Sequence, residues 1–549
     1  MNILTLSGSF FMLEVYDRVL PSRSIQTLLA IVTILAILYA FLALFDILRS
    51  RIFVRLGMIL DEELGSKVFD LVLHRSLLSR PDADPSQPQR DLDQIRGFLS
   101  GAGPGALFDL PWIPVYLLMC FVLHPLIGLT ALIGSLILIS LTVVADFATR
   151  RGTKATVSAI MNRQMISESA RRNAEVAHAM GMIPRLRKRW NRANDDLRAQ
   201  QRRTSDVTGG LSAISKVLRL LLQSLVLAVG AYLVIMGEAT GGIMIAGSIL
   251  AARAISPVEL AIGNWKGFIA ARQSWARLRA ELAQQTDGGS TLPLPAPTSR
   301  LDVENLACKS PGGSRLIIRG ISFSLVAGQA LGIIGPSGAG KSSLARALVN
   351  VWSPATGKVR LDGAALEQWS HADRGRHIGY LPQDVELFSG TVAENIARFD
   401  PDASPNHVIA AAKAADVHDL ILQMPEGYNT EIGTGGAVLS AGQRQRIGLA
   451  RALYRNPFLV VLDEPNSNLD LTGELALVRA IADIRVRKGI AIIISHKPVI
   501  LGGVDLLAVI ADGTLKKLGP PAEVMETVKL ASVAGPALAA ASSLKVVQS

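Results

Sequence analysis

Long uncharged stretches alternate with charged, helix-periodic stretches through the first half of the chain. Residues 25–45 and 110–145 contain no Asp, Glu, Lys or Arg. A helix needs about 20 apolar residues to cross a bilayer, so both stretches are long enough to span one. A very apolar core helix is the alternative. The recurrence of such stretches within one half of the chain favours membrane spans.

The pattern predicts six helical spans in a transmembrane domain over residues 1–282. Their expected bounds are about 2–20, 25–48, 105–123, 126–146, 211–236 and 243–265. Glu14, Asp17 and Arg18 end the first span and are expected near the membrane interface, because a charge at the bilayer centre costs about 2.5–3.5 kcal/mol. His124 could relay protons, but beside Pro125 it is better explained as an interfacial residue in a turn.

Two long polar segments, 49–104 and 146–210, separate the spans, and both are predicted to be helical. Residues 147–210 hold 14 Lys or Arg against 5 Asp or Glu. This excess is typical of a cytoplasmic loop and explains much of the net charge of +11 without nucleic-acid binding. The basic side chains within 185–189 are expected to meet anionic lipid headgroups.

Some polar groups lie where no polar group is expected. Arg253, Pro257 and Glu259 interrupt the sixth span and must face protein or water. They could line a substrate path or join two helices, and the sequence leaves both open.

Two distant cysteines, Cys120 and Cys308, form neither a disulfide framework nor a metal site.

The second half has the pattern of a different domain. Residues 283–300 are rich in Gly, Ser and Pro and predict a linker. Alternating strand and helix patterns over 301–535 predict an α/β fold with a largely parallel sheet. An Ala- and Ser-rich tail follows over 536–549.

A phosphate-binding loop is predicted between a strand and a helix of this domain. Residues 335–342 read G-P-S-G-A-G-K-S after an apolar stretch. Glycines let backbone N–H groups turn toward an anion, and the helix N-terminus adds partial positive charge. Lys341 would reach the β- and γ-phosphates and Ser342 would ligate Mg²⁺. A chance glycine turn is the alternative. The predicted nucleotide-binding residues of this loop are Gly335, Pro336, Ser337, Gly338, Ala339, Gly340, Lys341, Ser342 and Ser343.

Two carboxylates, Asp463 and Glu464, follow a second apolar strand. Asp463 is expected to hold Mg²⁺ and Glu464 to orient or deprotonate the attacking water. They could instead be ordinary surface charges, but their place in an α/β domain with a phosphate loop favours catalysis.

A second anion site is predicted at the start of another helix. Ser440, Gly442 and Gln443 precede a helical stretch, and a serine and glycine at a helix N-terminus can bind phosphate. Two phosphate-binding ends in one chain suggest that one of them serves a partner chain.

These motifs resemble the ABC ATPase family. The stretch 439–443 reads L-S-A-G-Q, where the family has L-S-G-G-Q, so Ala441 departs from the pattern. The resemblance makes Gln383 the Q-loop residue, which contacts Mg²⁺ and the nucleophilic water, and His496 the switch histidine that senses the γ-phosphate. It implies that 467–470 is the D-loop and that 430–433 is the X-loop of exporters.

One further departure concerns the base of the nucleotide. The family places an aromatic residue some 25–30 positions before the phosphate loop, where it stacks on adenine. Residues 307–312 read A-C-K-S-P-G and contain no aromatic. We therefore expect weaker stacking and lower base selectivity.

The layout resembles a half-transporter of the type I ABC exporters: a membrane bundle of six α-helical spans fused to an α/β P-loop ABC ATPase domain. Stretches 11–22, 380–388 and 463–470 are similar to the PrtD-like permease/ATPases of alkaline-protease secretion. Such proteins usually carry more sequence before the first span, so we expect this N-terminus to be short and to lack a peptidase domain.

This resemblance implies a type I secretion engine in a Gram-negative inner membrane, with its ATPase domain in the cytoplasm. ATP and Mg²⁺ would be required. The implied partners are a second copy of the chain, membrane lipid, a periplasmic membrane-fusion protein, a TolC-like outer-membrane channel and an unfolded secreted protein, with no nucleic acid.

Three other functions stay open on the sequence alone. A lipid or small-molecule exporter would have the same architecture. A soluble ABC ATPase acting on nucleic acid or in translation is opposed by the uncharged stretches. A defective paralogue would be consistent with Ala441 and the short first span.

Overall fold

The computed structural model of the 549-residue chain describes residues 1–78, 84, 86–284, 294–311, 313, 315–436 and 438–526. These residues form two compact units. The first comprises Met1–Val72 and Ser86–Gln284, and the second comprises the described residues of Leu73–Pro85 and Gln285–Ser549. The predicted tail, 536–549, lies outside the described residues.

The first unit is built from helices. They are α1 (Asn2–Glu14), α2 (Leu20–Ser22), α3 (Ile25–Leu78, which runs past the end of the unit), α4 (Gln87–Ser100), α5 (Gly103–Asp109), α6 (Ile113–Leu123), α7 (Pro125–Arg172), α8 (Ala174–Ala179), α9 (Ile183–Ile235) and α10 (Gly241–Gln284). A π-helical turn, Val15–Val19, joins α1 to α2, and a 3-10 turn, Leu110–Trp112, joins α5 to α6.

Five helical segments of the described chain are long and apolar enough to cross a membrane. They are Ile25–Leu77, Gly103–Leu123, Pro125–Arg172, Ile183–Ile235 and Gly241–Ala283, and they contain the second to sixth predicted spans. The first predicted span, 2–20, coincides with α1 and the π-helical turn. Because α1 has 13 residues it rises about 20 Å, less than the roughly 30 Å of bilayer hydrocarbon. That span stays a prediction.

The polar segments are largely continuations of the spanning helices rather than separate elements. Helix α3 has 54 residues and α9 has 53, so each is about 80 Å long. Pro111 lies in the 3-10 turn and Pro114 at the start of α6. His124 is the N-cap of α7, where its Nδ1 accepts a hydrogen bond from Leu126 N–H at 3.2 Å.

Helices α7 and α9 pack antiparallel along much of their length. A Cβ at Gly134 would lie 2.0 Å from Leu222, and one at Gly152 would lie 2.6 Å from Thr204, so the two glycines permit the close approach. Polar contacts continue the pairing with the same register. They join Thr156 to Thr204, Arg163 to Asn194 and Ser167 to Trp190.

The basic segment 185–189 lies near the far end of α9. About 22 positions of α9 separate Arg189 from the predicted start of the fifth span at 211, which is about 33 Å along the axis. Headgroup contact by these side chains stays a prediction.

Polar side chains also join α10 to other helices of this unit. Arg219 Nη1 of α9 lies 2.6 Å from Glu259 Oε2 of α10, so Glu259 forms the helix–helix pair that was one of the two possibilities. Asp17 Oδ1 accepts a hydrogen bond from Gly242 N–H at 2.8 Å, at the start of α10. Asp91 of α4 is buried and pairs with Arg277 of α10 at 2.6 Å.

The second unit alternates strands and helices. Its strands are β1 (Arg300–Lys309), β2 (Leu316–Val326), β3 (Ala330–Ile334), β4 (Thr356–Leu361), β5 (Ala364–Ala365), β6 (Ile378–Leu381), β7 (Leu459–Asp463), β8 (Ile490–Ile494), β9 (Leu506–Ala511) and β10 (Thr514–Gly519). Its helices are α11 (Lys341–Leu348), α12 (His371–His377), α13 (Val392–Ile396), α14 (Pro405–Ala414), α15 (His418–Leu422), α16 (Ala441–Leu453), α17 (Leu471–Val486) and α18 (Pro498–Leu501).

The strands form two sheets. The larger has the order β10-β9-β3-β8-β7-β6 and is parallel except for β10. Every residue of β3, β7 and β8 is buried, as expected of a parallel sheet covered on both faces. The smaller sheet, β2-β1-β4-β5, is antiparallel and was not predicted separately.

The end of the predicted linker is held against the second unit. Asp362 accepts backbone hydrogen bonds from Thr298, Ser299 and Arg300 at 2.7 to 3.1 Å. Leu294 packs against the core of the unit. The described part of 283–300 therefore includes residues that belong to the second unit, because one carboxylate of that unit accepts three consecutive N–H groups.

Candidate nucleotide site

The parallel order of the large sheet gathers the predicted catalytic residues at one edge. The strands β3, β8, β7 and β6 are neighbours, so their carboxyl ends meet. Those ends lead to the phosphate loop, to His496, to the pair Asp463 and Glu464, and to Gln383. The predicted site residues are spread over more than 160 positions of the sequence, and the order of the strands brings them together.

The phosphate loop has the backbone that its glycines were expected to allow. Gly340 has φ +97° and is the N-cap of α11. A Cβ at Gly335 would lie 2.0 Å from the carbonyl oxygen of Ile510, so only glycine fits there without a backbone shift. Pro336, Ser337, Gly338 and Ala339 fill the loop between them, and Ser343 lies in the first turn of α11. The first turn of α11 therefore opens toward the loop with free N–H groups.

Lys341 is buried within its own loop. Its ammonium donates hydrogen bonds to the carbonyl oxygens of Gly335 and Pro336, both at 2.9 Å, and the residue is 7% exposed. These two carbonyls compensate the buried charge. The ammonium is thus held beside the position where an anion would meet the loop.

Ser342 and Asp463 form an oxygen pair between α11 and β7. Ser342 Oγ donates to Asp463 Oδ1 at 3.2 Å, and Asp463 is 1% exposed. Burial raises the pKa of Asp463, and the neighbouring Glu464 raises it further, while the bond from Ser342 lowers it. A hydroxyl and a carboxylate side by side are ligands that suit Mg²⁺, which keeps its other positions for water and phosphate.

Glu464 is the centre of a polar cluster. Gln383 Nε2 donates to Glu464 Oε2 at 3.0 Å, and His496 Nε2 lies 3.9 Å from Glu464 Oε1. Glu464 has φ +47°, and its N–H donates to Ile494 O at 3.0 Å. A left-handed backbone is unusual outside glycine and marks a position that the surrounding fold enforces. The cluster joins a carboxylate, an amide and an imidazole.

The second predicted anion site lies on a different element. Ser440 is the N-cap of α16; its hydroxyl accepts from Gln443 N–H, and Gln443 Oε1 accepts from Ser440 N–H. Ala441 is exposed, and a Cβ at Gly442 would lie 3.0 Å from Asn468 O. Among the described residues, the hydrogen bonds and ion pairs do not connect this site to the phosphate loop.

Two positioning residues were missed from the sequence. Gln445 is buried in α16 and donates to Pro465 O at 3.1 Å, which ties the helix to the loop after Glu464. Arg398 donates to Ile378 O at the start of β6 and to the carbonyls of Arg451 and Ala452 at the end of α16. Burial lowers the pKa of Arg398 to about 10. Their partners are backbone carbonyls, which no side-chain motif reveals.

Residues 307–309 of the segment with the missing aromatic belong to the small sheet. Ala307 and Cys308 lie in β1 and are buried, so their side chains face the core. Burial raises the pKa of the Cys308 thiol to about 11.

The predicted X-loop, 430–433, pairs with the segment at the start of α13. Val392 N–H donates to Thr430 O, and Ile432 N–H donates to Gly390 O.

Comparison with known proteins places these features in one family. Residues 318–467 match the family model described as ABC transporter, and residues 2–258 match that of the ABC transporter transmembrane region. A bacterial Atm1-family ABC exporter with ATP bound has a TM-score of 0.81 over 96% of this chain and 94% of that one. At 23% sequence identity this similarity concerns the fold.

Two relatives are similar over most of the sequence. The type I secretion system ATP-binding protein PrsD of Rhizobium meliloti (strain 1021) is 54% identical over 524 residues, covering 95% of this chain and 90% of that protein. The leukotoxin export ATP-binding protein LtxB of Aggregatibacter actinomycetemcomitans is 30% identical, covering 96% of this chain and 75% of that protein.

Proposed function

The chain belongs to the ABC transporter family, among the type I secretion ATP-binding proteins, and we propose that two copies of it hydrolyse ATP to export unfolded proteins across a bacterial inner membrane. The membrane helices would form the route and the second unit, in the cytoplasm, would supply the energy. The observation that carries the proposal is the cluster of Gln383, Glu464 and His496 beside the Ser342–Asp463 oxygen pair.

Nucleotide binding follows from the phosphate loop. An incoming triphosphate would compete with the two carbonyls that hold Lys341 and would take over its ammonium. The free N–H groups at the start of α11 would bind phosphate oxygens. Ser342 and Asp463, with Gln383 nearby, would hold Mg²⁺, which neutralises phosphate charge when bound.

Hydrolysis would depend on Glu464. Its carboxylate is fixed on one side by the amide of Gln383, so it can accept a hydrogen bond from a water aimed at the γ-phosphate. His496 lies near the other carboxylate oxygen and can contact the γ-phosphate once it is bound. The backbone at Glu464 fixes where this side chain leaves the main chain, and the bond from Gln383 orients its carboxylate.

The second copy is required because the predicted signature residues serve another site. Ser440, Gly442 and Gln443 lie on α16, away from the hydrogen-bonded network of the phosphate loop in the described chain. Two chains facing each other would let each signature segment close the partner's nucleotide site. Binding would then join the two ATPase units and hydrolysis would release them.

Replacement of Glu464 tests the hydrolytic step. Glu464→Gln keeps the size of the side chain and removes the base, so steady-state ATP hydrolysis by the purified full-length protein should fall at least 100-fold while ATP is still bound. Glu367→Gln, an exposed position of the same unit, is the matched control and should hydrolyse ATP normally. Undiminished turnover in Glu464→Gln would refute the assigned role.

Transport needs a separate experiment. A periplasmic membrane-fusion protein and a TolC-like outer-membrane channel are the proposed partners, and a secreted protein is the proposed cargo. A strain carrying Glu464→Gln should lose specific proteins from its culture medium, and the tagged variant should co-purify with both partners. An unchanged secreted proteome with altered lipid or drug efflux would contradict protein export and leave the ATPase assignment intact.

A further inference from the structure

An open polar cavity of about 500 Å³ lies between helices α7, α9 and α10. Its lining includes Thr149, Ser215, Lys216, Arg219, Glu259 and Lys266. These residues are at the ends of the fourth and sixth predicted spans and at the start of the fifth. The cavity therefore lies at the depth of the membrane interface, on the side of the long polar segments.

The cavity is positively charged. Glu259 is already paired with Arg219 at 2.6 Å. Lys216 and Lys266 also line the cavity, and neither has a hydrogen bond or ion pair with another described residue. Three cations against one carboxylate leave an excess of two positive charges among the described lining residues. The Ser215 hydroxyl adds neutral hydrogen-bonding capacity.

An apolar groove of about 280 Å³ continues from this cavity toward the centre of the predicted spans. It lies between α7 and α9 and is lined mainly by Ile133, Ile137, Leu218, Leu221 and Leu225. Ser215 of the cavity and Leu218 of the groove are three residues apart on α9, so they are neighbours on one face of the helix and the two spaces adjoin there. Leu221 is 61% exposed and Leu225 is 51% exposed, although both are apolar.

From this juxtaposition we infer that the cavity and groove together form a binding site for an anionic phospholipid. The phosphodiester would lie between Lys216 and Lys266, and an acyl chain would follow the groove between α7 and α9. Basic pockets between helices at a membrane surface bind lipid headgroups in this way. The site is distinct from the nucleotide site and does not depend on which cargo is exported.

Charge and polarity favour a lipid over other anions. A soluble phosphate would use the cavity and leave the apolar groove without an occupant. An acidic peptide would also need hydrogen-bonding partners for its backbone along the groove, whose lining is almost entirely aliphatic. A phospholipid matches both halves with one molecule.

The test uses the full-length protein in detergent, titrated with dioleoyl phosphatidylglycerol and followed by native mass spectrometry. Lys216→Gln with Lys266→Gln should weaken binding by roughly fivefold for each lysine, because each cation near the surface contributes to anionic lipid binding. Lys358→Gln with Lys413→Gln removes two exposed lysines of the second unit and should leave binding unchanged. Dioleoyl phosphatidylcholine should bind more weakly to the unaltered protein and be insensitive to both pairs.

The groove is tested with neighbouring leucines. Leu221→Gln, inside the groove, should weaken phosphatidylglycerol binding, whereas Leu220→Gln, exposed but outside the groove lining, should not. Equal binding by all variants would overturn the inference. Glycerol 3-phosphate binding as tightly as the lipid would also overturn it. So would a result in which the two lysine substitutions weaken the binding of a polyglutamate peptide but not that of the lipid. ATP hydrolysis is measured in parallel on the same variants. A failure of the lipid-binding inference can then be told apart from a failure of the proposed ATPase function.

Discussion

Asp362 shows how a single carboxylate fixes the start of the second unit. It accepts N–H groups from Thr298, Ser299 and Arg300. Burial tends to raise the pKa of Asp362, but these N–H groups outweigh it and hold the pKa below the ordinary 3.8. Because the folded-state pKa is below the unfolded one, ionised Asp362 stabilises the fold above about pH 4. This contribution is lost as the pH falls through the folded-state pKa.

Asp362→Asn should therefore lower the free energy of unfolding by roughly 1 kcal/mol at neutral pH, a modest figure because the group is partly solvated. The difference from the unaltered protein should shrink below about pH 4. Thermal unfolding of the full chain in detergent at several pH values measures it. Asp512→Asn is the control, since Asp512 also has positive φ in a turn. A deficit that is the same at every pH would argue against a charge effect.

Motifs predicted individual residues well where a side chain must meet phosphate, water or metal. The phosphate loop, Gln383, Asp463, Glu464 and His496 all occur in short patterns, and the sheet brings them to one edge. The roles assigned to them stay predictions. Arg398 and Gln445 could not be predicted, because their partners are carbonyl oxygens that come close only after the strands and helices have packed.

At the scale of elements, Asp17 links the first helical segment to α10. Its carboxylate accepts from Gly242 N–H and from the hydroxyl of Thr240, so it acts as an N-cap supplied from more than 220 residues away. The sequence predicted only that this charge would lie near an interface. Spacing cannot show that a carboxylate in one helix will cap another.

Asp17→Ala should remove this cap and lower the stability of the membrane unit by about 1 kcal/mol, the usual cost of losing a capping side chain. Asp17→Asn keeps an acceptor oxygen and should retain part of the effect. Glu14→Ala removes a neighbouring acid whose 3.9 Å pair with Arg18 is exposed, and should cost less. Thermal unfolding in detergent ranks the three variants; equal stability of Asp17→Ala and Glu14→Ala would contradict the assigned cap.

The sequence predicted the order of the helices and strands more accurately than their lengths. Hydropathy located the second to sixth spans within helices that are long enough to cross a membrane. It did not show that α3, α7 and α9 continue unbroken into the polar segments, because a helix ends where capping and packing stop it, and not where hydropathy changes. The small antiparallel sheet was missed since β5 has only two residues and β1 contains register shifts.

At the scale of the whole molecule, the nucleotide site should be complete only in a pair of chains. Lys341→Ala disables a phosphate loop and Ser440→Arg disables a signature segment, so either homodimer should hydrolyse ATP very slowly. A mixed dimer contains one intact site, built from the loop of the second variant and the signature of the first. Its activity should reach about half of the unaltered level, since a two-fold symmetric pair has two sites.

The mixed dimer is isolated by co-expression of the two variants with different affinity tags and purification on both. The matching control carries Lys341→Ala in both differently tagged copies. Activity of the mixed dimer no greater than that of the separate variants would show that each chain forms its site alone. The proposed pairing would then be wrong.

The antiparallel pair of α7 and α9 has a mechanical consequence. Glycine-mediated contacts near one end and polar contacts toward the other brace the two helices against bending. Such a rod, about 80 Å long, amplifies rotation, since a tilt of about 5° displaces its tip by roughly 7 Å. A slight change of side-chain packing at one end of the helix pair would thus displace the other end by several ångströms, without a hinge between the two ends.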